Sequence, residues 1–160
     1  AKWGGMWIDS TALCTDGDFF RYANKQHLFV FKQLNLGNQG EAPIIASSWF
    51  ISSEIGNPIV VLTRNLLYAY WQDYDYLLNY FTFHLFFTMA CRRYENEWES
   101  IPAFNNSSPH MLMFELKRDY SPERWEQLMK MSGIHKLQRY DDYSDLKKSN
   151  YCKILDTYLQ

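Results

Sequence analysis

The sequence predicts an α+β fold in which a mixed β-sheet is covered by a C-terminal layer of helices. Short runs of β-branched and aromatic residues between turn residues come early in the chain, and apolar residues at helical spacing follow them. The length of 160 residues and the hydrophobic share of 47% are those of a chain that buries one core. We therefore expect residues 1–160 to form a single domain.

Strand candidates occupy the first part of the chain. The apolar run that ends at Asp9 follows two glycines suited to a turn, and two later runs are rich in β-branched and aromatic residues. Strands are predicted over residues 6–9, 28–31 and 44–51, with 11–14 as a candidate extension of the first, a turn over 15–18 and a loop over 36–43.

Helix signals dominate after Gly56. Asn57 followed by Pro58 is an N-cap and first-turn signature, and the apolar spacing after it predicts a helix of about four turns. A second helix, capped by Asp73 or Asp75, is apolar around most of its circumference over residues 76–90, which predicts an interior position. The remaining predictions are short helices opened by Ser108-Pro109 and Ser121-Pro122, a helix stop at Gly133, a strand over 134–139 and a helix over 146–159.

Charge and cysteine content exclude some classes of partner and site. Lysine and arginine number 16 against 18 acidic residues. This balance lacks the excess of positive charge that binds a nucleic-acid backbone, so no nucleic-acid partner is expected. The 3 cysteines lie far apart without zinc-binding spacing, which favours a reduced, cytoplasmic location. The aromatic share of 18% either fills a core or stacks on weakly polar ligands.

The string GGMWIDST at residues 4–11 is the first candidate site. A carboxylate at the end of a buried strand is suited to hold a divalent cation or a ribose hydroxyl, which makes Asp9 the leading residue. Thr11 would share its strand face and offer a hydroxyl oxygen. The alternative is that Asp9 opens an Asx-turn and Thr11 caps it. Spacing alone leaves both interpretations open.

GGMWIDST resembles the GG-x-[WY]-x-D-x-[DT] signature of sugar-nucleotide-dependent glycosyltransferases with a GT-A fold. The likeness is strongest to the bacterial capsular polysaccharide synthesis proteins, which are related to DxD-containing mannosyltransferases. Supporting strings follow in family order at residues 47–51, 56–59, 80–84, 101–102 and 135–137. The family also has an Asp and an Arg on a helix before the double glycine. We therefore interpret the chain as the C-terminal part of a GT-A-like catalytic domain, with the nucleotide-binding half largely missing.

The resemblance implies transfer of a sugar from a nucleoside diphosphate donor to a glycan or lipid-linked glycan acceptor, with retention of configuration. The reaction would serve capsule or other surface-polysaccharide synthesis at the cytoplasmic face of the membrane. Asp9 is the implied catalytic residue. The implied donor-binding residues are Gly4, Gly5, Trp7, Asp9 and Lys136. The implied ligands of a divalent cation, Mn²⁺ or Mg²⁺, are Asp9, Thr11 and His135.

Three of these implied roles have competing interpretations. Thr11 stands where such enzymes have a second Asp, and a hydroxyl is a weaker ligand than a carboxylate for a hard cation, which puts direct metal coordination in doubt. His135 offers an imidazole to a metal and Lys136 offers an ammonium to phosphate. The competing interpretation of both residues is a solvated strand edge.

The acceptor is expected to contact Ser47, Ser48, Trp49 and His84. The ring of Trp49 would stack on a sugar face while the serine hydroxyls bond its rim. The competing interpretation places Trp49 in the core of a central strand. His84 lies in the most apolar helix, and the competing interpretation is a histidine satisfied by a backbone or hydroxyl partner.

Two further interpretations concern the class of protein. A non-catalytic glycan-binding or scaffolding module is the alternative to an enzyme, because the aromatic excess suits ring stacking on sugars. Peripheral membrane association is expected if Arg92 and Arg93 contact anionic lipid headgroups or polyprenyl diphosphates, and a solvated helix end is the competing explanation for both arginines.

Overall fold

The computed structural model describes residues 2–32, 44–138 and 147–158. These residues form two compact units, each with its own sheet and helices. The first unit holds Ala1–Ile8 and Arg21–Asn106, and the second unit holds Asp9–Phe20 and Ser107–Gln160. The chain therefore passes into the second unit directly after Ile8. The mixture of strands and helices confirms the α+β class.

The described elements alternate between strands and helices early in the chain and are mostly helical later. In chain order they are β1 (Gly5–Ile8), β2 (Ala12–Cys14), α1 (Gly17–Asn24), β3 (Leu28–Lys32), β4 (Ala46–Ser53), α2 (Pro58–Asp73), α3 (Thr82–Arg93), α4 (Glu95–Ser100), a 3₁₀ turn (Ser108–His110), α5 (Met111–Glu115), α6 (Pro122–Met131), β5 (Ile134–Lys136) and α7 (Asn150–Tyr158). Among these described helices, none combines the length and the apolar character needed to cross a bilayer.

The first unit is built on an antiparallel sheet with β4 in the centre, in the order β1-β4-β3. Because successive strand side chains point to opposite faces, Leu28 and Val30 pack in one core cluster with Ile59 of α2 and Phe87 of α3. Phe29 and its neighbours form an aromatic cluster instead. Its fully buried rings, in edge contact with one another, are Phe29, Phe31 and Phe50.

The second unit contains a short antiparallel pair, β2 with β5, and a cluster of apolar residues from three helices and the segment after α5. The buried members of this cluster are Leu112, Leu116, Leu128 and Ile154. Gly133 precedes β5, and its carbonyl accepts hydrogen bonds from the backbone N–H groups of Thr15 and Asp16, both at 3.0 Å. A Cβ at Gly133 would lie 2.7 Å from the Cβ of Phe19, so a residue with a side chain would collide there and the close packing requires glycine.

The predicted strands over 6–9, 28–31 and 44–51 correspond to β1, β3 and β4. Residues 11–14 do not extend β1. They contain β2, which belongs to the second unit and pairs with β5. The predicted turn over 15–18 leads into α1, which was missed, as was α4. The predicted loop over 36–43 lies outside the described residues. So do the ends of the predicted strand over 134–139 and helix over 146–159, within which β5 and α7 are observed.

The second predicted helix begins later than expected. α3 starts at Thr82 without a side-chain cap, so neither Asp73 nor Asp75 caps it. Its predicted interior position is only partly correct, because Phe87 and Cys91 are buried whereas Leu85 and Met89 are exposed.

The preceding segment, residues 74–81, is the α2–α3 loop. The hydroxyl of Tyr70 donates to the carbonyl of Tyr76 at 2.6 Å and accepts from the N–H of Leu78 at 3.0 Å. These two bonds fix the shape of the loop from within α2. The exposed large apolar side chains of the loop are Tyr74, Tyr76, Leu77, Leu78, Tyr80 and Phe81.

The predicted N-cap of α2 is confirmed, and it carries a testable consequence. Asn57 is 1% exposed, its Oδ1 accepts from the N–H groups of Ile59 and Val60, and its Nδ2 donates to Glu97 at 2.7 Å. We expect Asn57→Ala to reduce the free energy of unfolding by about 2 kcal/mol, because two helix N–H groups and a carboxylate lose their partner.

Urea denaturation followed by circular dichroism measures this loss. Ser121→Ala is the matched control, since Ser121 Oγ accepts only one helix N–H, that of Arg124 at 3.4 Å, and donates to the exposed Glu123 at 2.9 Å. We expect the control to lose only about 0.5 kcal/mol. Equal losses in the two variants would show that the buried Asn57 cap contributes no more than the half-buried cap at Ser121.

Candidate functional site

Asp9 and Thr11 form a closed turn at the start of the second unit. Asp9 Oδ1 accepts the backbone N–H of Thr11 at 3.0 Å and the Thr11 hydroxyl at 3.1 Å. The Asx-turn is therefore present. It does not bury the carboxylate, whose side chain remains 38% exposed. The Thr11 N–H, followed by the Lys136 ammonium, holds the pKa of Asp9 below its ordinary value, so the carboxylate is ionised at neutral pH.

Lys136 reaches this turn from β5. The register of β2 against β5 places Lys136 opposite Ala12, and the N–H of Leu137 donates to the carbonyl of Thr11 at 2.8 Å. Lys136 Nζ donates to Thr11 Oγ1 and to the carbonyl of Leu137, and it lies 3.4 Å from Asp9 Oδ2. The structure thus brings Asp9, Thr11 and Lys136 into one cluster, here called the carboxylate–ammonium cluster.

His135 points away from solvent. Its side chain is 0% exposed and Nε2 lies 3.2 Å from Thr15 Oγ1, while Nδ1 has no hydrogen-bond partner among the described residues. Burial lowers the pKa of His135 to about 4, so the ring is neutral at neutral pH. His135 is therefore not the solvated strand edge that was one interpretation of it.

The described residues do not fit a divalent cation. Asp9 Oδ1 already accepts two bonds from Thr11, and the Lys136 ammonium lies against the other two oxygens that a cation would use, Asp9 Oδ2 and Thr11 Oγ1. Within residues 2–32, 44–138 and 147–158, no group of three His, Cys, Asp or Glu side chains is spaced to hold a metal ion. The expected Mn²⁺ or Mg²⁺ therefore enters no step of the function proposed below.

A cavity of about 530 Å³ opens in the first unit. Trp7 lies at its wall with 63% of its surface exposed, and its Nε1 donates to the carbonyl of Ser48 at 3.1 Å. The predicted residues that line the cavity are Gly4, Gly5, Trp7 and Ser48. Its volume is within the range of ordinary small-ligand sites. The ring and the backbone around it can therefore hold a single sugar or nucleoside ring.

Both glycines of the motif adopt backbone conformations that other residues rarely adopt. Gly4 has φ of 67° and Gly5 has φ of 99°. A Cβ on Gly4 would lie 2.9 Å from the carbonyl oxygen of Ser53, so the backbone of Gly4 packs directly on the end of β4. A Cβ on Gly5 would meet nothing within 4 Å. The double glycine thus turns the chain into β1 and keeps one wall of the cavity free of side chains.

The remaining predicted acceptor residues do not line this cavity. Trp49 is buried, stacks on Phe31 with ring centroids 4.7 Å apart, and donates from Nε1 to Asn106 at 2.9 Å, as the core interpretation describes. Ser47 is half-buried on β4. His84 makes edge contacts with the rings of Phe81 and Phe83, and its Nδ1 is without a described hydrogen-bond partner. Acceptor contact by these residues stays a prediction.

Sequence reasoning missed other residues of the cavity wall. The missed residues include Met6, Ser53, Val60 and Phe83. Ser53 lies opposite Gly5 in the register of β1 with β4, and no local signal in the sequence gives that register. Arg92 and Arg93 lie exposed at the C-terminal end of α3, a position compatible with both earlier interpretations.

Comparison with known families identifies the chain. The family model for capsular polysaccharide synthesis proteins matches residues 1–155, so the chain belongs to that family, as its motifs predicted. No curated protein and no solved structure matches the chain. Membership assigns the protein a role in capsular polysaccharide synthesis and partners related to glycans.

Proposed function

We propose that the protein is a glycosyltransferase that moves a sugar from a nucleoside diphosphate donor to a hydroxyl of a capsular glycan acceptor, with retention of configuration. The observation that carries this proposal is the carboxylate–ammonium cluster, in which an ionised, partly exposed Asp9 is held by Thr11 and Lys136. Family membership supports it from a second direction. The acceptor is a glycan or lipid-linked glycan, and the reaction takes place at the cytoplasmic face of the membrane.

The chemistry of this transfer requires two kinds of stabilisation. The departing nucleoside diphosphate gains negative charge, which a fixed cation neutralises, while the sugar develops oxocarbenium character. Lys136 supplies the cation and Asp9 supplies an ionised oxygen that accepts a donor hydroxyl. Both groups are already fixed by hydrogen bonds, so little reorganisation is needed when charge develops.

The cavity of the first unit supports a second part of the proposal. Trp7 presents an exposed ring whose orientation is fixed by its bond to the carbonyl of Ser48. An aromatic face stacks favourably on the apolar face of a sugar or on a base. We propose that Trp7, Gly4 and Gly5 bind a sugar or nucleoside ring there and that Ser48 bonds a hydroxyl of that ring.

Release of nucleoside diphosphate from a panel of nucleotide sugars tests the function. The full-length protein is incubated with each donor, with and without capsular oligosaccharide, and the nucleoside diphosphate and glycan products are measured. We expect one donor to be consumed faster when the acceptor is present. If no donor is consumed while glycan is retained in affinity chromatography, the protein is a glycan-binding module, the alternative that the exposed Trp7 also supports.

A further inference from the structure

We propose that the Lys136 ammonium takes the place of a divalent cation at the donor diphosphate, so that this protein binds the diphosphate without metal. The inference rests on the proposed function, since it presumes a diphosphate donor. It departs from the divalent cation that the sequence led us to expect.

The ammonium occupies the position that a cation would need. A hard cation binds oxygen ligands at about 2.0–2.6 Å. Asp9 Oδ2 and Thr11 Oγ1 are the two side-chain oxygens of the cluster not engaged as acceptors within the turn, and Lys136 Nζ contacts both. A divalent ion bound to these same oxygens would lie beside a positive charge that is only 18% exposed and so weakly screened. The two cations therefore exclude each other.

Within the described part of the chain, one proton of the ammonium has no acceptor at ordinary hydrogen-bond distance and is available to a ligand. Lys136 Nζ donates to Thr11 Oγ1 and to the carbonyl of Leu137, which lies 3.2 Å away. The contact with Asp9 Oδ2, at 3.4 Å, is longer than the usual range of about 2.7–3.2 Å for an N–H···O hydrogen bond. A phosphate oxygen that accepts the third N–H at a shorter distance forms a charge-assisted bond.

Neighbouring groups determine the sign of the local charge. His135, next along β5, is buried and neutral, so it does not share the cationic role. Asp9 carries a negative charge close to Nζ and opposes the approach of a diphosphate. We therefore expect Asp9→Asn to bind diphosphate more tightly than the unmodified protein, even though the proposed transfer reaction needs Asp9.

Calorimetric titration with inorganic pyrophosphate in EDTA tests the proposal. We expect the unmodified protein to bind pyrophosphate, Lys136→Ala to weaken binding at least about tenfold, and Lys136→Arg to keep binding within about threefold. Asp9→Asn should bind several-fold more tightly. Lys130→Ala is the matched control, because Lys130 pairs with Glu126 on the exposed face of α6, and this variant should bind pyrophosphate as the unmodified protein does.

Three results would overturn the proposal: pyrophosphate binding that requires Mg²⁺ or Mn²⁺, unchanged binding in Lys136→Ala, or weaker binding in Asp9→Asn. The Asp9→Asn arm keeps the test decisive should Lys136→Ala fail to fold. The donor assay separates this inference from the proposed function. If sugar transfer requires metal and does not change in Lys136→Ala, the inference is wrong and the proposed function stands. If pyrophosphate binds without metal and requires Lys136, but no sugar is transferred, the proposed function is wrong and the inference stands.

Discussion

Asp9→Ala in the full-length protein should lower the turnover number for sugar transfer at least about a hundredfold, the usual loss when a main electrostatic stabiliser is removed. The variant loses an ionised oxygen and also the acceptor that orders the turn through Thr11. Lys136 then loses its neighbouring charge. Initial rates of nucleoside diphosphate release at saturating donor give the turnover number directly.

Asp16→Ala is the matched control for this measurement. Asp16 Oδ1 also accepts a backbone N–H from the residue two positions on, Asp18, at 2.8 Å, so it forms the same kind of turn in the same unit. We expect its turnover to stay within about threefold of the unmodified protein. A near-normal rate in Asp9→Ala would remove Asp9 from the mechanism, and an equal fall in both variants would show that turn structure alone is responsible.

Gly4→Ala should cost about 3 kcal/mol of folding stability, enough to lower the folded population markedly. The added Cβ would meet the Ser53 carbonyl oxygen at 2.9 Å and the Ile55 nitrogen at 3.1 Å, and these are backbone atoms that cannot rotate away. The φ of 67° at Gly4 adds strain for any other residue. Urea denaturation followed by circular dichroism gives the free energy.

Gly5→Ala separates strain from collision in this prediction. Gly5 has φ of 99°, but its Cβ would point into open space, so only the strain of about 1 kcal/mol remains. Gly17→Ala controls for the substitution itself, because a Cβ there also meets nothing within 4 Å and no positive φ is involved. If Gly4→Ala proves no worse than Gly5→Ala, the close approach to Ser53 is relieved by a shift of the chain.

Cap and turn residues in the sequence predicted those parts of the fold that are determined by bonds between residues close in the chain. Asn57 and Pro58 marked the start of α2 correctly, because the cap bonds are made within the first turn. α1 was missed because Asp16 and Gly17 are typical turn residues, although Asp16 Oδ1 here receives the N–H of Asp18 at the start of a helix. The start of α3 was misplaced because the Tyr70 hydroxyl bonds to Tyr76 and Leu78, six and eight residues on, and no helix-start signal in the sequence reveals these side-chain bonds, which fix the loop before α3.

The candidate site was predictable only in part for the same reason. The contact of Asp9 with Thr11 spans two residues and was recognised as a candidate Asx-turn. The contact of Lys136 with Thr11 spans 125 residues and depends on the register of β2 with β5, which no local pattern reveals. That same register sends His135 inward and Lys136 toward the turn, so two adjacent residues with similar expected roles receive opposite environments.

The α2–α3 loop has a practical consequence for work with this chain in solution. Water in contact with the rings and leucines of this loop is released whenever two such surfaces meet, so self-association should rise with concentration. Sulfate and phosphate buffers strengthen that tendency because they raise the cost of exposed apolar surface. Dilute samples in chloride with a mild detergent are therefore the sound starting point for every titration described above.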